Sequence, residues 1–267
     1  MADAFKDQVL AGKVAYIAGG SSGINLGIAQ RLAAQGAKVA IVSRSQDKID
    51  AAVKSIADAG GTAWGTSVDV RDYAAVEASL AATRDKFGEI DVLVSGAAGN
   101  FLAPVVGMSA NAFKTVVDID LIGTFNVFRA AFDYVKKPGA SLIAITAGQG
   151  THPIMFQAHA CAAKAGINML TRVLAMEWGP AGIRVNGISP GPISETEGMA
   201  RLAATPQLET AMKARIPLRD YGRKHDIADM ALYLASDNAA YITGAILDVD
   251  GGSSLGDASA NALTAKR

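Results

Sequence analysis

The sequence KVAYIAGGSSGINLG, residues 13–27, joins a short apolar run to a glycine-rich turn and then to an alanine-rich stretch. The run Lys13–Ala18 predicts a buried strand, and Gly23–Gln35 predicts a helix. Glycines at such a junction let the backbone approach a phosphate, and the helix N-terminus supplies free N–H groups. This stretch therefore predicts a dinucleotide site whose pyrophosphate is cradled by Gly19, Ser21, Ser22, Gly23, Ile24 and Asn25.

The same alternation continues along the chain. Short apolar runs such as Ala37–Ser43 and Ser141–Ala147 alternate with longer stretches of helical periodicity. This pattern is typical of a parallel sheet covered on both faces, and right-handed crossovers make such a sheet doubly wound. We expect an α/β fold in one domain (residues 1–267), a doubly wound parallel Rossmann sheet of about seven strands with helices on both faces. The alternation of strand and helix patterns is interrupted at residues 191–221, which we expect to form the substrate loop. The tail at residues 255–267 is expected to be flexible.

Composition narrows the class of protein. The 25 basic and 25 acidic residues cancel, so no charge excess favours nucleic acid or an anionic membrane as a partner. No apolar run reaches the roughly 18 residues of a membrane span. The single cysteine, Cys161, excludes an intrachain disulfide, and the three histidines lack metal-ligand spacing, so we expect no metal site.

The end of the second predicted strand bears on cofactor choice. An acidic residue there would bind the ribose 2′-hydroxyl of NAD, but this chain has Ser43-Arg44-Ser45. A guanidinium beside hydroxyl groups suits a 2′-phosphate, so the sequence predicts NADPH bound by Arg44 and Ser45. Asp69 and Val70, after the third strand, are expected beside the adenine, and Asp72 fits the cap of the next helix.

These pieces together resemble the short-chain dehydrogenase/reductase family. The matching segments are Gly19–Gly27, Asp69, Ser95–Gly99, Lys164, Pro190–Ile193 and Asp250–Gly252, which cover most of the chain in the family's order. The resemblance implies that Lys164 holds the nicotinamide ribose, that Pro190, Gly191 and Ile193 line the carboxamide, and that Ala97, Ala98 and Gly99 pack beside the adenosine ribose. It also implies a homotetramer, formed through the last strand and the two helices predicted at Asp120–Lys136 and Phe156–Trp178.

Four positions depart from the family's pattern. The proton-carrying tyrosine, four residues before Lys164, is Ala160, and the substrate-binding serine thirteen residues earlier is Ala147. The helix asparagine of the proton relay corresponds to Asp120, and the third phosphate-loop glycine to Asn25. Alanine cannot carry a proton, so a ketone reductase would lose an acid that is typically worth about 10²–10⁴-fold in rate.

The altered set is similar to that of the 2,4-dienoyl-CoA reductase branch, especially the peroxisomal type. The chain also resembles that branch at residues 97–102, 118–120 with 123–126, 159–160, 177–180, and 191–193 with 196–198. The resemblance implies NADPH-dependent reduction of a conjugated 2,4-dienoyl-CoA thioester to an enoyl-CoA. The expected partner is therefore an acyl-CoA substrate. We expect Asp120 to orient or activate a water that delivers the proton, directly or through Lys164. Gln149 is expected to donate its amide to the thioester oxygen, and Asn100 and Phe101 to flank the substrate. Because the chain ends in Ala265-Lys266-Arg267, where a peroxisomal signal would end in Leu, we expect a cytoplasmic protein.

Two alternatives stay open. A trans-2-enoyl-CoA reductase, or another reductase of activated alkenes, needs the same enolate stabilisation. A non-catalytic NADPH-binding sensor or scaffold would explain the missing tyrosine and serine, whereas Lys164 and Asp120 favour an enzyme. His159 is expected to pack rather than react. A basic group in and just beyond the substrate loop could hold coenzyme A phosphates or form a solvated face; its members are Arg201, Lys213, Arg215, Arg219, Arg223 and Lys224.

Overall fold

Seven parallel strands form one sheet in the computed structural model, which describes residues 5–196, Met199 and residues 205–260. In chain order they are β1 Val14–Ala18, β2 Lys38–Ser43, β3 Thr62–Ser67, β4 Val92–Ser95, β5 Ser141–Ile145, β6 Arg184–Pro190 and β7 Ile246–Val249. Their spatial order is β3-β2-β1-β4-β5-β6-β7, so the winding reverses between β1 and β4. The doubly wound sheet predicted from the sequence is confirmed, and such sheets bind ligands beyond the carboxyl ends of their strands at the reversal.

Helices cover both faces of the sheet. They are α1 Gly23–Ala34, α2 Gln46–Asp58, α3 Tyr73–Phe87, α4 Ala110–Val117, α5 Gly123–Ala131, α6 Ala158–Trp178, α7 Pro206–Arg215 and α8 Lys224–Ala235. A hydrophobic core lies on each face of the sheet, and alternate residues of β1 point into one or the other. Ile17 packs in the core with α1, α2 and α8, whereas Tyr16 packs in the core with α3, α5 and α6. None of the described helices is long and apolar enough to cross a membrane.

Two helical regions differ from the sequence-based boundaries. The helix predicted to run from Asp120 to Lys136 ends at Ala131, since the chain beyond it turns and Val135 forms a parallel bridge with Ile90. Its start is a π-helical turn, Asp118–Ile122, which joins α4 to α5. Such turns insert one extra residue into a helix and are frequent at functional sites. The predicted substrate loop contains α7, which Thr205 caps by accepting from Leu208 N at 3.3 Å.

Candidate active site

The glycine-rich turn after β1 brings the start of α1 to the sheet edge. Gly19 has φ +80°, and a Cβ there would lie 2.8 Å from Ala97 N, so only glycine fits. Ser22 precedes α1 without capping it through its side chain. The N–H groups of Gly23 and Ile24 therefore lie in the first turn of a helix with no side-chain cap, where an anion is favoured.

Asn25, at the position of the family's third glycine, holds this turn against β4. Its Nδ2 donates to the carbonyl oxygens of Gly96 at 2.7 Å and Gly19 at 3.4 Å. A Cβ on Gly96 would lie 2.2 Å from Asn25 Oδ1, so the glycine makes room for the amide. The buried Asn25 side chain thus braces the turn, although the sequence placed it in the pyrophosphate cradle.

The end of β2 presents the residues predicted to select NADPH. Ser43 Oγ accepts from Ser21 Oγ at 2.8 Å, which links the β2 end to the phosphate turn. Arg44 is exposed, and its carbonyl accepts from Ser67 Oγ at 3.1 Å. Ser45 is the N-cap of α2, accepting from Lys48 N at 3.5 Å. An exposed guanidinium beside two hydroxyl-bearing residues can receive a phosphate group.

Asp69 and Val70 follow β3 at the same edge. The Arg71 guanidinium forms a bidentate ion pair with the Asp69 carboxylate, with Nε 3.0 Å from Oδ1 and Nη2 2.5 Å from Oδ2. This ion pair holds the pKa of Asp69 below its usual range. Val70 O accepts from Asn126 Nδ2 on α5 at 2.9 Å. Asp72 caps α3, accepting from Ala75 N at 3.1 Å, as the sequence predicted.

Asp120 and Lys164 meet in the interior. Asp120 is 1% exposed; its Oδ1 accepts from Gly99 N at 2.8 Å, and its Oδ2 lies 3.3 Å from Lys164 Nζ. Lys164, 8% exposed, also donates from Nζ to Ile145 O at 3.1 Å. A buried ion pair is tolerated only with such additional hydrogen bonds. Two of the residues assigned catalytic roles from the sequence are therefore one fixed unit, with the carboxylate carried by the π-helical turn.

The space beside this pair lacks a proton-carrying side chain at the two altered family positions. Ala160 lies one turn before Lys164 on the same face of α6 and is 3% exposed. Ala147 follows β5 and leads into a short 3₁₀ turn, Gly148–Gly150, which carries Gln149. Neither alanine can donate or accept a proton, so the tyrosine and serine of the family's pattern have no counterpart at these two positions.

A glutamine that the sequence analysis missed connects the predicted substrate residues. Gln157 Oε1 accepts from Asn100 Nδ2 at 2.6 Å and from Gln149 Nε2 at 3.1 Å. The available signal was spacing, since residues 157, 160 and 164 follow the i, i+3, i+7 pattern of one helix face. Asn100 and Gln149 therefore share one acceptor, and their roles toward the substrate stay predictions.

Phe101 and His159 pack against each other beside this amide cluster. Their ring centroids lie 4.3 Å apart in an edge-on arrangement. Phe101 is 39% exposed, whereas His159 is fully buried. Burial lowers the pKa of His159, which keeps the imidazole neutral at pH 7. His159 thus packs, as expected, and Phe101 offers an exposed apolar ring.

The carboxyl end of β6 closes the other side of the site. A Cβ on Gly191 would lie 2.5 Å from Asp250 Cα, so Pro190–Ile193 passes close to the closing Asp250-Gly251-Gly252 turn. Asp250 fixes that turn by accepting from the N–H groups of Gly252 and Ser254, both at 2.8 Å. A cavity of about 420 Å³ opens here. Its walls include Gly148, Ile154, Pro192, Met212, Ile216 and Ser254.

Three members of the basic group have acidic partners. Lys213 Nζ lies 3.0 Å from both Glu209 and Asp220, Arg215 lies 3.1 Å from Asp257, and Lys224 lies 3.9 Å from Glu195. The expected basic excess is therefore offset in part by nearby acids. Ala258 N also donates to Arg215 O at 3.0 Å, which ties the first part of the predicted flexible tail to the loop. Residues 197, 198 and 261–267 and Arg201 lie outside the described residues.

Comparisons with known proteins show which proteins this chain is similar to. Residues 18–254 match the sequence profile of a family described as enoyl-(acyl carrier protein) reductase. The peroxisomal 2,4-dienoyl-CoA reductase [(3E)-enoyl-CoA-producing] of Pongo abelii is 44% identical over 254 residues, covering 94% of this chain and 87% of the relative. Its namesake from Saccharomyces cerevisiae is 42% identical over 252 residues, covering 93% and 86%. An actinorhodin polyketide ketoreductase variant solved with NADPH superposes with a TM-score of 0.88 at 28% identity, covering 93% of this chain and 99% of that one.

Both relatives are peroxisomal by name. The cytoplasmic location expected from the C-terminal tripeptide stays a prediction, because those three residues are outside the described part of the chain.

Proposed function

The chain belongs to the short-chain dehydrogenase/reductase family, and within it we propose an NADPH-dependent reductase of 2,4-dienoyl-CoA thioesters that forms a 3-enoyl-CoA. One observation carries this proposal: Asp120 and Lys164 form a buried pair, whereas Ala160, one helical turn before Lys164, and Ala147 provide no acid of the kind a ketone reductase needs. Relatives above 40% identity that carry this activity in their names support the same substrate class.

The chemistry of a dienoyl thioester suits such a site. NADPH, when bound, supplies a hydride to C5, the far end of the conjugated system, and negative charge then collects on the thioester oxygen. The protein must stabilise this dienolate with hydrogen-bond donors and deliver a proton to C2. Addition of a hydride at C5 and a proton at C2 leaves the double bond between C3 and C4.

Asp120 is the residue proposed to manage the proton. Its carboxylate is fixed by Gly99 N and Lys164 Nζ, and it can accept a hydrogen bond from a water. A water oriented in this way delivers its proton to C2, and the hydroxide that remains takes a proton from the Lys164 ammonium group, which recovers one from solvent. Such general acid–base assistance is worth about 10²–10⁴-fold.

The cofactor site fits NADPH by its shape and charge. The cradle at Gly19 would be filled by a Cβ, and the start of α1 offers N–H groups to the pyrophosphate. Arg44 with Ser43 and Ser45 suits the 2′-phosphate, and Lys164 suits the nicotinamide ribose hydroxyls. We expect Arg44→Ala to lower the NADPH-over-NADH preference in kcat/KM by at least about tenfold, because one charge-assisted contact is worth about 1.5–3 kcal/mol. The control is Arg84→Ala, a residue of α3 whose guanidinium pairs with Asp85. An unchanged preference would contradict this choice of cofactor.

Isotopic labelling tests the reaction. We expect the purified protein, with NADPH deuterated at the transferred position and 2,4-hexadienoyl-CoA, to place deuterium at C5. In D₂O with ordinary NADPH, deuterium should instead appear at C2. Deuterium from the cofactor at C3, or an alcohol as product, would contradict the proposed reaction.

A second candidate is supported by the description of the family profile, an enoyl-(acyl carrier protein) reductase. Reduction of a trans-2-enoyl thioester places the hydride at C3 and needs the same stabilised enolate. The residues of the site disfavour a ketone but suit both thioesters, and the named relatives favour the dienoyl substrate. A direct comparison of the two thioesters decides between them.

We further propose that the chain assembles as a homotetramer through its helical faces. Met169, Val173 and Met176 form one exposed stripe on α6, at the i, i+4, i+7 spacing of a single face. Phe113, Ile122 and Phe125 expose apolar surface on α4, the π-helical turn and α5. Contiguous apolar surface of this kind on a soluble chain marks an interaction site.

A further inference from the structure

Gln157 immediately precedes α6 but does not cap it. Its side chain makes no hydrogen bond to the first turn of the helix, although it is only 7% exposed. Buried carboxamides satisfy their polar atoms with other partners when they do not serve secondary structure. Here the oxygen accepts two N–H groups, from Asn100 Nδ2 at 2.6 Å and Gln149 Nε2 at 3.1 Å.

The three amides belong to three separate segments. Asn100 lies in the loop after β4, Gln149 lies in the 3₁₀ turn after β5, and Gln157 lies at the start of α6. A backbone hydrogen bond from Ala103 N to Phe156 O, at 2.9 Å, ties two of these segments together. Because a single oxygen receives both side chains, the orientations of the Asn100 and Gln149 amides depend on one acceptor.

This amide cluster adjoins the catalytic pair. Gln157 shares a helix face with Ala160 and Lys164, one and two turns further along α6. Asn100 directly follows Gly99, whose N–H holds Asp120, and Gln149 is two residues after Ala147. The amides therefore stand next to the two positions at which this chain lacks the family's hydroxyl groups.

Each donating carboxamide keeps a second N–H. An amide –NH₂ group carries two donors, and among the described residues the side chains of Asn100 and Gln149 each use one, on Gln157. We propose that Gln157 is a positioning residue, which holds the Asn100 and Gln149 amides as N–H donors toward the thioester oxygen of the acyl-CoA. This inference rests on the proposed function, since the oxyanion concerned is the one that forms on hydride addition.

The first test is Gln157→Leu, which removes the acceptor and keeps most of the side-chain volume. We expect kcat with 2,4-hexadienoyl-CoA to fall at least about tenfold, because a single preorganised oxyanion donor is worth about 10²–10³-fold. The KM and the Kd for NADPH should stay within about threefold, since the donors act on charge that develops only in the transition state. The matched control is Gln30→Leu, a substitution of an exposed glutamine on α1, which should leave kcat, KM and the Kd for NADPH unchanged.

Gln157→Glu separates positioning from packing. When protonated, the introduced carboxyl group is a neutral acceptor of the same shape as the amide. When ionised, it places a negative charge beside the developing oxyanion and opposes it. The ratio of variant to wild-type kcat should therefore be highest at low pH and fall as the introduced group ionises. Asp120, Lys164 and His159 are common to both proteins, so this ratio isolates the substituted position.

The outcomes distinguish this inference from the proposed function. Wild-type protein that oxidises no NADPH with the dienoyl thioester contradicts the proposed function itself. With an active wild type, a kcat for Gln157→Leu within about twofold of it would overturn the positioning role, given the expected effect of a lost donor. A kcat loss matched by lost NADPH affinity, with a flat pH ratio for Gln157→Glu, would assign Gln157 to packing alone and overturn the inference as well.

Discussion

At the residue scale, the carboxylate of Asp120 distinguishes this site from one with an asparagine in the same place. The amide of Asp120→Asn can still accept from Gly99 N but leaves Lys164 without its buried counter-charge. We expect kcat for the dienoyl thioester to fall at least about 10²-fold, the lower bound for loss of general acid–base help. Affinity for NADPH, measured by fluorescence titration, should be little changed.

Asp118→Asn is the control for that substitution. Asp118 lies two residues earlier and pairs on the surface with Lys114. Turnover of this variant should equal that of the wild type. Unchanged turnover in Asp120→Asn would mean that Asp120 only neutralises Lys164.

His159 supplies a prediction about pH. Burial lowers its pKa in the folded state below the ordinary value of 6.5. Its contribution to stability is therefore fully present above pH 6.5 and is lost as the pH falls below that value, because the unfolded chain then binds a proton that the folded chain excludes. We expect the free energy of unfolding of His159→Gln, from urea titrations between pH 7.5 and 5, to fall less steeply than that of the wild type.

An exposed residue without a titrating side chain provides the comparison. Gln30→Leu, on the exposed side of α1, should leave the wild-type slope unchanged because it removes no proton-binding group. Equal slopes for His159→Gln and the wild type would show that His159 takes no part in the acid sensitivity.

The sequence named some residues of the candidate site and missed others. Asp120, Lys164, Asn100 and Gln149 could be named because each occupies a motif position at a strand end or on a helix. Gln157 could not, because its partners come from loops 57 and 8 residues away and only the folded chain brings them together. Asn25 was assigned to the phosphate, whereas its side chain turns inward because Gly96 leaves space for it.

At the scale of elements, the phosphate turn and the end of β4 depend on each other. We expect Gly96→Ala to weaken NADPH binding, because its Cβ would lie 2.2 Å from Asn25 Oδ1 and displace an amide that holds two carbonyls. Adding Asn25→Gly removes the clash. A double-mutant cycle on the NADPH dissociation constant should therefore show a coupling of at least about 0.5 kcal/mol, as is usual for residues in contact.

Gly179→Ala serves as the control for that cycle. A Cβ at Gly179 would have no neighbour within 4 Å, so the substitution should leave NADPH affinity unchanged. Additive effects of Gly96→Ala and Asn25→Gly would contradict the interlocking of the two segments.

Strands and helices were predicted with different success. The strands predicted at Lys13–Ala18, Ala37–Ser43 and Ser141–Ala147 lie within about two residues of β1, β2 and β5, because apolar runs flanked by glycine or polar turns are strong local signals. The π-helical turn at Asp118–Ile122 was not predicted, since it conserves the helical periodicity on both sides and adds a residue only locally. Helix α7 was hidden for another reason: its surface is polar on nearly every side and offers no apolar stripe, although Thr205 and Pro206 are a typical start signal.

At the scale of the whole molecule, the apolar stripe of α6 predicts self-association. Light scattering of the wild type after gel filtration should give four times the 27.4 kDa mass of the chain. Met176→Glu places a charge where the stripe is 81% exposed in a single chain, so it should shift the protein to smaller species. Val106→Glu, at an exposed loop position, should leave the mass unchanged.

The fold alone does not choose a substrate, since the same sheet serves many reactions. A ketone is disfavoured here by the buried Asp120–Lys164 pair, the two alanines at the altered positions and the cluster of amides. The relatives named as dienoyl-CoA reductases favour the dienoyl thioester. NADPH oxidation by the purified protein, followed side by side with 2,4-hexadienoyl-CoA, trans-2-hexenoyl-CoA and a simple ketone, tests that choice. We predict turnover of the dienoyl thioester and none of the ketone. Turnover of the ketone alone would contradict the roles given to Ala160 and Ala147. NADPH binding without turnover of any of the three substrates would contradict the proposed enzymatic function.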